Sequence, residues 1–275
     1  MRPLARLLLT RPAAQAGEWL QRLSDLGVPA ASLPLIAIEP APPAAARQAW
    51  QALGGQRLAM FVSPNAVTQF FAQRPAGQAW PATTLAATVG PGSARALLAQ
   101  GVPEALIVQP AADAPALDSE HLWPELLRHV GPDWRGLGAL LVRGDGGREW
   151  LADRLREAGA RVQACSVYRR ACPRLDAAGQ ALLDAALVRP REHVWLFSSS
   201  EAIGHLQQLA AVAPQASPRP APDWSAGLAL ATHERIAARA QALGFGHVVL
   251  VRPDATAVAR GWRRLSGSTL ESDAL

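Results

Sequence analysis

Lysine is absent from the chain, so all 27 basic residues among its 275 are arginines. Without lysine the protein cannot form a Schiff base through a side-chain amine, and it cannot carry the phosphate-binding lysine of a P-loop. The formal charge is only +5, and the arginines are dispersed rather than gathered in a run. This mild positive balance permits an anionic ligand but does not indicate nucleic-acid binding.

Cysteine is also scarce, because the sequence has only Cys165 and Cys172. Two cysteines do not make a disulfide framework, and neither stands at a metal-ligand spacing from a histidine. Long apolar runs are missing too: no stretch approaches a membrane span, and the run that ends before Pro12 is shorter than a signal-peptide core. We therefore expect a soluble cytoplasmic protein.

What the sequence does contain is a clear strand–loop–helix–strand pattern between Gly138 and Arg170. The apolar run Ala139–Val142 is typical of a buried strand, and a glycine-rich turn follows it. Apolar residues then recur at helical spacing until Gly159, which is a common helix-ending residue. Arg161–Tyr168 is again extended, and such a unit is the building block of a parallel α/β sheet.

The N-terminus shows the same pattern. Leu7–Thr10 is the apolar run, a helix with its apolar face at Trp19, Leu20, Leu23 and Leu26 follows, and Leu33–Ile38 is predicted to resume as a strand. Three residue pairs share one offset (143 − 11 = 132): Arg11 with Arg143, Leu23 with Leu155, and Gly27 with Gly159. An ordered set of matches at one offset indicates a repeat.

The repeat extends into later segments. Phe61–Val67 matches Phe197–Ile203, and each combines a strand end, a serine-containing turn and a helix start. Ala86–Ala96 similarly matches Leu228–Ala238. The chain is thus predicted to hold two related α/β halves, because internal repetition at this scale is a strong architectural signal.

The repeated segments together resemble the uroporphyrinogen-III synthase family. The resemblance is carried by LLLTRP, FVSPNAV, VGPGSARAL, LLVRGDGGREWLADRLREAGA followed by VYRR, WLFSSSEAI and LATHERIA. Each motif alone is weak, but their order and spacing along nearly the whole chain make the match specific.

The resemblance implies a fold of two related parallel-sheet α/β domains, one of them discontinuous. They would be joined by a two-stranded β-ladder, with a cleft between them. Residues 1–34 plus 172–275 would form the first domain and 41–165 the second. Residues 35–40 and 166–171 would be the connecting strands.

The implied reaction is the closure of hydroxymethylbilane to uroporphyrinogen III, with inversion of ring D and loss of water. The family uses no metal or organic cofactor. The substrate carries an acetate and a propionate on each pyrrole, so loop amides, hydroxyls and arginines suit it. The resemblance further implies a monomeric lyase of haem biosynthesis that receives its substrate from hydroxymethylbilane synthase.

Tyr168 is the only tyrosine in the chain. From the residues alone it could be an amphipathic side chain packed at a strand end. The resemblance places it at the family's cleft tyrosine, where it could donate a proton to the leaving hydroxyl.

Nine further residues are expected to bind substrate. Serines before helices could equally be simple helix caps, and the two arginines that end equivalent strands could equally form surface salt bridges. Thr232 departs from the family's Gly-Pro-Thr-Thr pattern, and Asp145 and His233 are expected to be a turn residue and a helix-start residue. The expected substrate-binding residues are Arg11, Ser63, Asn65, Ser93, Arg143, Gly144, Ser199, Ser200 and Thr232.

Two other classes of function stay open at this point. A two-lobed α/β protein could bind a polycarboxylate without catalysis. A nucleotide-dependent enzyme would need a phosphate loop, but Gly144-Asp145-Gly146-Gly147 fits neither the dinucleotide-binding nor the P-loop pattern.

Overall fold

The computed structural model of the chain describes residues 5–146, 149–211 and 222–267. Gly147, which closes the predicted glycine-rich turn, lies outside the described residues. The strands are β1 (Arg6–Leu9), β2 (Ala30–Ser32), β3 (Ala37–Pro40), β4 (Leu58–Phe61), β5 (Leu85–Thr88), β6 (Ile107–Val108), β7 (Gly138–Gly144), β8 (Arg161–Ala171), β9 (His193–Phe197), β10 (Leu228–Ala231) and β11 (His247–Leu250). The α-helices are α1 (Ala16–Asp25), α2 (Pro43–Ala52), α3 (Pro64–Phe71), α4 (Pro91–Ala99), α5 (Ser119–Val130), α6 (Trp150–Glu157), α7 (Ala177–Val188), α8 (Ser200–Ala211), α9 (Glu234–Leu243) and α10 (Ala255–Ser266).

The chain divides into two compact units. The first contains Met1–Ala37 and Ala171–Leu275, and the second contains Ile38–Arg170. The first unit has a five-stranded sheet in the order β11-β10-β9-β1-β2, with every neighbouring pair parallel. The second has a six-stranded sheet in the order β3-β8-β7-β4-β5-β6, parallel from β8 to β6. The predicted fold class, two α/β units with parallel sheets, is confirmed.

The two sheets repeat one arrangement. Read from one edge, β11-β10-β9-β1-β2 corresponds strand for strand to β6-β5-β4-β7-β8. Gly27 and Gly159 end equivalent helices with φ of 70° and 99°, which is backbone that favours glycine. The predicted internal repeat is therefore present in the topology, and β3 is the extra strand beside β8.

Both faces of each sheet are covered, as parallel strands require. In β4 the side chains alternate between two cores. Phe61 packs with Trp50 and Phe70 on one face, while Met60 packs with Leu141 on the other. This explains why the predicted strands appear as continuous apolar runs without polar alternation.

The predicted strand Leu33–Ile38 is wrong for its first four residues, because β2 ends at Ser32 and β3 begins only at Ala37. The amides of Leu33 and Leu35 donate to the carbonyls of Leu9, the last residue of β1, and of Thr10, at 2.9 and 3.0 Å. Pro34 between them has no N–H to continue a ladder. The buried leucines mimic a strand pattern although the segment between β2 and β3 is irregular.

Candidate active site

Tyr168 lies in the last part of β8 with its ring buried at 2% exposure. The register of β7 and β8 shifts by one residue between Arg143 and Gly144, so Gly144 pairs with Tyr168 instead of Val167. Such a bulge turns the following side chain. As a result Val167 and Tyr168 both pack in the core of the second unit, although they are sequence neighbours.

The Tyr168 hydroxyl has a defined partner. It lies 3.1 Å from Oγ of Ser63, and either hydroxyl could be the donor. Ser63 follows β4 and caps α3, because its Oγ accepts the amide hydrogen of Ala66 at 3.2 Å. Pro64 at the first position of α3 favours the helical start. Ser63 therefore serves as both the expected helix cap and a contact of the tyrosine.

Gly144 provides room for the tyrosine ring. A Cβ atom at Gly144 would lie 2.6 Å from Cε2 and 2.7 Å from Cζ of Tyr168, well inside contact distance. The amide of Asp145 donates to the Tyr168 carbonyl at 3.1 Å and holds the strand ends together. Asp145 itself lies in an exposed bend, which agrees with its expected role as a turn residue.

A cavity of about 340 Å³ opens beside this tyrosine within the second unit. Its apolar lining includes Met60 and Leu141, which belong to the buried core, and Val62 and Leu117, which are largely exposed. The polar lining combines hydroxyls and charged groups: Ser63, Ser119, Tyr168, Asp118, Arg143, Asp145 and Arg170. Such a mixture suits a ligand that has both an apolar ring and carboxylates.

Arg143 is held by an ion pair with Glu149, which stands just before α6. The guanidinium lowers the pKa of the Glu149 carboxyl, mainly through their hydrogen bond. The Arg143 side chain is only 18% exposed, and its buried Nε has no hydrogen-bond partner within the described residues. Arg143 thus forms a salt bridge, which was the alternative to substrate binding for this arginine. Its side chain also lines the cavity, and its Nε–H is still able to donate a hydrogen bond.

Two of the predicted site residues of the second unit lie apart from this cavity. Asn65 is in the first turn of α3, and Ser93 is in α4 with 4% exposure. The alternative role of Ser93, as a helix cap, is wrong, because Gly90 occupies the cap position and its carbonyl accepts the Ser93 amide hydrogen at 3.0 Å. Neither residue lines the cavity formed by the described residues.

The first unit presents its predicted residues after three neighbouring parallel strands. Arg11 follows β1, Ser199 and Ser200 follow β9, and Thr232 follows β10. The carboxyl ends of adjacent parallel strands share one edge of the sheet, where α/β proteins bind ligands. The topology therefore places these four residues at the carboxyl ends of the strands, on the same side of the first unit's sheet.

Their individual contacts differ. The Arg11 guanidinium stacks over Trp19 at 4.2 Å, and burial lowers the pKa of Arg11. Ser199 Oγ accepts the Glu201 amide at 3.2 Å, whereas the buried Oγ of Ser200 has no partner in the described part of the chain. The Thr232 amide donates to the Phe197 carbonyl at 3.2 Å.

His233 is confirmed as a helix-start residue. It precedes α9, and its ring nitrogen accepts the amide hydrogen of Arg235 at 3.1 Å. This contact occupies Nδ1, so the imidazole is engaged in capping.

The family model for uroporphyrinogen-III synthase HemD matches residues 17–259. The chain belongs to the uroporphyrinogen-III synthase family. It is 33% identical over 181 residues to the uroporphyrinogen-III synthase of Escherichia coli K12, covering 64% of this chain and 69% of that relative. It is 31% identical over 180 residues to the enzyme of Salmonella typhimurium LT2, with the same coverage of 64% and 69%.

Solved structures of the uroporphyrinogen-III synthase family agree on the fold. A mutant uroporphyrinogen III synthase from the extremely thermophilic bacterium Thermus thermophilus aligns with a TM-score of 0.55 at 22% identity, covering 96% of this chain and 99% of that one. The uroporphyrinogen-III synthetase of Helicobacter pylori 26695 aligns with a TM-score of 0.57 at 14% identity, covering 97% and 100%. The family model and the sequence relatives together indicate a uroporphyrinogen-III synthase, an enzyme of haem biosynthesis, rather than a non-catalytic binding protein.

Sequence reasoning missed part of the cavity lining. Asp118, Ser119 and Arg170 line the cavity but were not among the predicted site residues. A signal existed for Asp118, because aspartate is a typical cap residue and the sequence from Ser119 onward forms α5. Arg170 lies two residues after Tyr168, so its nearness to the tyrosine was also visible in the sequence.

Among the described residues, no group of three or more His, Cys, Asp or Glu side chains could hold a metal ion. In the same residues no helix is both long and apolar enough to cross a membrane.

Proposed function

We propose that this chain converts hydroxymethylbilane to uroporphyrinogen III, with inversion of ring D and release of one water. The enzyme must favour the inverted ring geometry, because the unassisted closure gives the uninverted isomer. Holding the ring ends in position is work of orientation, which enzymes perform well with preorganised polar groups.

The observation that carries the proposal is the hydroxyl pair of Tyr168 and Ser63 beside a cavity that also contains Arg143. A phenolic O–H can donate a proton to the leaving hydroxymethyl oxygen. Loss of that oxygen as water leaves an azafulvene, which the substituted carbon of ring D attacks to form a spiro pyrrolenine. Fragmentation and reclosure of this intermediate then invert the ring.

We assign carboxylate binding to polar groups of both units. In the second unit these are Arg143, the Gly144 backbone and Ser63, supported by their place at the cavity. Asn65 and Ser93 remain candidates only through the family resemblance, since they lie outside the lining. In the first unit the candidates are the strand-end residues Arg11, Ser199, Ser200 and Thr232.

The test is isomer analysis of the purified protein with freshly prepared hydroxymethylbilane. The protein should yield uroporphyrinogen III, while the same buffer without protein should yield the uninverted isomer. A mixture identical to the protein-free control would contradict the proposal. Binding of the polycarboxylate without turnover would favour the alternative, a binding protein.

The domain boundaries 1–34 plus 172–275 and 41–165, with 35–40 and 166–171 as connecting strands, stay a proposal. Support comes from the division into compact units after Ala37 and after Arg170, and from β3 lying beside β8. Hydrogen exchange should then show two cooperative units with their boundaries in these segments. A single cooperative unit spanning the whole chain would contradict it.

We further propose that the enzyme works in the cytoplasm as a monomer and receives its substrate from hydroxymethylbilane synthase. A monomer fits a reaction whose candidate acid and its hydroxyl partner, Tyr168 and Ser63, both come from one chain. Sedimentation at micromolar concentration checks the monomer, and a concentration-dependent dimer would refute it. Faster turnover when the two enzymes are mixed than when free substrate is supplied would support the transfer, and equal rates would argue against it.

A further inference from the structure

Asp118 is a carboxylate of the cavity to which the mechanism above gives no role. It directly precedes α5 and lines the same cavity as Tyr168 and Ser63. Its side chain is 33% exposed, so a bound ligand can reach it. The other carboxylate of the lining, Asp145, lies in an exposed bend.

Asp118 is held in place by two contacts on one oxygen. Its Oδ1 accepts the amide hydrogen of His121 at 3.0 Å, which is the cap of α5. The same Oδ1 lies 2.6 Å from Nδ1 of the His121 ring. An ionised carboxylate can only accept, so Nδ1 of the imidazole carries the proton in this pair. By contrast, the carboxylate of Asp145 has no hydrogen bond or ion pair within the described residues.

His121 stands behind the carboxylate as seen from the cavity. The described lining includes Asp118 and Ser119 but not His121, whose side chain is 33% exposed to solvent. The Asp118 carboxylate therefore faces the cavity, and the His121 imidazole lies between that carboxylate and solvent. This order resembles the orienting pairs found beside general bases, in which a second group fixes the base.

The proposed reaction requires a base as well as an acid, and this inference rests on that function. The acid protonates the hydroxymethyl oxygen, the C–O bond breaks with its electron pair on oxygen, and water leaves. In the last step a new C–C bond forms at the free α-carbon of ring D. The C–H bond at that carbon then breaks, its electron pair restores the aromatic pyrrole, and the proton must go to an acceptor.

We propose that Asp118 is the base that removes this proton from the ring D α-carbon. His121 is a positioning residue that holds the carboxylate, and the protonated Asp118, which is 33% exposed, returns its proton to solvent. The other charged groups of the lining are Arg143, Arg170 and Asp145. The two arginines cannot accept a proton, and of the two lining carboxylates Asp118 is the one held by hydrogen bonds among the described residues, so we place this step on Asp118.

The deciding variant is Asp118→Asn, because asparagine caps a helix as well as aspartate does but cannot act as the base. We expect kcat to fall by about 10²-fold to 10⁴-fold, in the range of general-base contributions. The product that the enzyme itself releases, after subtraction of unassisted closure measured without protein, should still be uroporphyrinogen III, since the inversion precedes proton removal. Substrate deuterated at the ring D α-carbon should show a larger isotope effect in the variant than in the unaltered enzyme, because proton removal becomes rate-limiting.

Asp176→Asn is the matched control, because Asp176 caps α7 by accepting the Gly179 amide at 2.7 Å and does not line the cavity of the described residues. It should leave kcat and the isotope effect unchanged. His121→Gln should lower kcat less than Asp118→Asn and also raise the isotope effect.

An unchanged kcat in Asp118→Asn overturns the assignment, and so does a loss of kcat without a larger isotope effect, which marks a purely structural role. Failure of the unaltered protein to form uroporphyrinogen III is a different outcome. It would refute the proposed function itself, and it is seen before any variant is made.

Discussion

The hydroxyls of Tyr168 and Ser63 lie 3.1 Å apart although 105 residues separate them in the sequence. The contact joins the end of β8 to the cap of α3, and the Gly144 position leaves the space for the ring. The orientation of the phenol is thus fixed by a strand bulge on one side and a helix start on the other.

Replacing Tyr168 with phenylalanine removes the hydroxyl and keeps the ring. We expect turnover to fall by roughly 10-fold to 1000-fold, because one proton donor is lost. The remaining product should shift toward the uninverted isomer as unassisted closure competes. Steady-state rates and product chromatography measure both effects.

The stability of Tyr168→Phe should change little, because no buried volume is lost. Thermal unfolding checks this and separates a chemical effect from misfolding. A variant with unaltered turnover and an unaltered isomer ratio would show that Tyr168 is a packing residue.

Gly144→Ala tests the space that the tyrosine ring needs. The new methyl group would lie 2.6 Å from a ring carbon, so the ring must move and its contact with Ser63 must lengthen. We expect a loss of about 1–3 kcal/mol in unfolding free energy, as for other overpacked sites, together with reduced turnover. Gly54→Ala is the control, since apart from the adjoining backbone no described atom lies within 4 Å of its added carbon. Equal stability and turnover in the two variants would contradict the packing argument.

Thr88→Val should stabilise the protein. Thr88 is fully buried at the end of β5, and its Oγ1 has no hydrogen-bond partner in the described residues. Valine has the same shape without the desolvated hydroxyl, so we expect a gain of about 1 kcal/mol in urea unfolding. Thr84→Val is the opposite case, because the Thr84 hydroxyl bonds the carbonyls of Leu53 and Gln56 at 3.0 and 2.8 Å. If both variants changed stability in the same direction, the unpaired hydroxyl would not be the cause.

Stability should decline at mildly acidic pH because of His193. The residue is buried at the start of β9, and burial lowers the pKa of its imidazole below the usual value near 6.5. The folded state therefore binds a proton less readily than the unfolded chain does. The contribution to stability is complete above about pH 6.5 and is lost as pH falls toward the folded-state pKa.

Urea unfolding at a series of pH values between about 5 and 8 measures this dependence. His193→Gln removes the titrating group. The unfolding free energy of the variant should therefore depend less steeply on pH, by up to about 1.4 kcal/mol per pH unit. A slope that is identical in both proteins would place the acid sensitivity elsewhere in the chain.

Activity should survive dialysis against a chelator. The proposed chemistry uses hydroxyl, carboxylate and arginine groups of the protein, and the described residues offer no cluster of metal ligands. Turnover before and after treatment with EDTA is the measurement. Loss of activity that returns only when a particular metal is added would contradict a cofactor-independent reaction.

The elements and their order could be predicted because their signals are local. Apolar runs marked the strands, and pairs such as Gly27 and Gly159 marked equivalent helix ends. The prediction for Leu33–Ile38 failed over its first four residues for the same reason: an irregular segment with buried leucines has the same apolar composition as a strand, and only the hydrogen bonds distinguish the two cases.

The site was less predictable, since it depends on distant pairing. Tyr168 could be chosen as the single tyrosine at a strand end, but the bulge opposite Gly144 depends on the register between β7 and β8. The lining residue Asp118 reaches the cavity through the loop before α5. Sequence spacing gives no measure of where such a loop places its side chains.

In the first sheet, strands from the two ends of the sequence lie side by side, and this has a consequence for folding during synthesis on the ribosome. β1 is an inner strand of its sheet, and the Thr10 hydroxyl beyond it donates to the Leu196 carbonyl, 186 residues later. Ile38–Arg170 can fold as soon as it emerges, because its sheet is complete within that stretch. β2 can pair with one side of Leu7–Leu9 early, but the other side must wait until β9 has been translated. A nascent chain that stalls before His193 therefore leaves that side of the apolar segment exposed to chaperones and proteases.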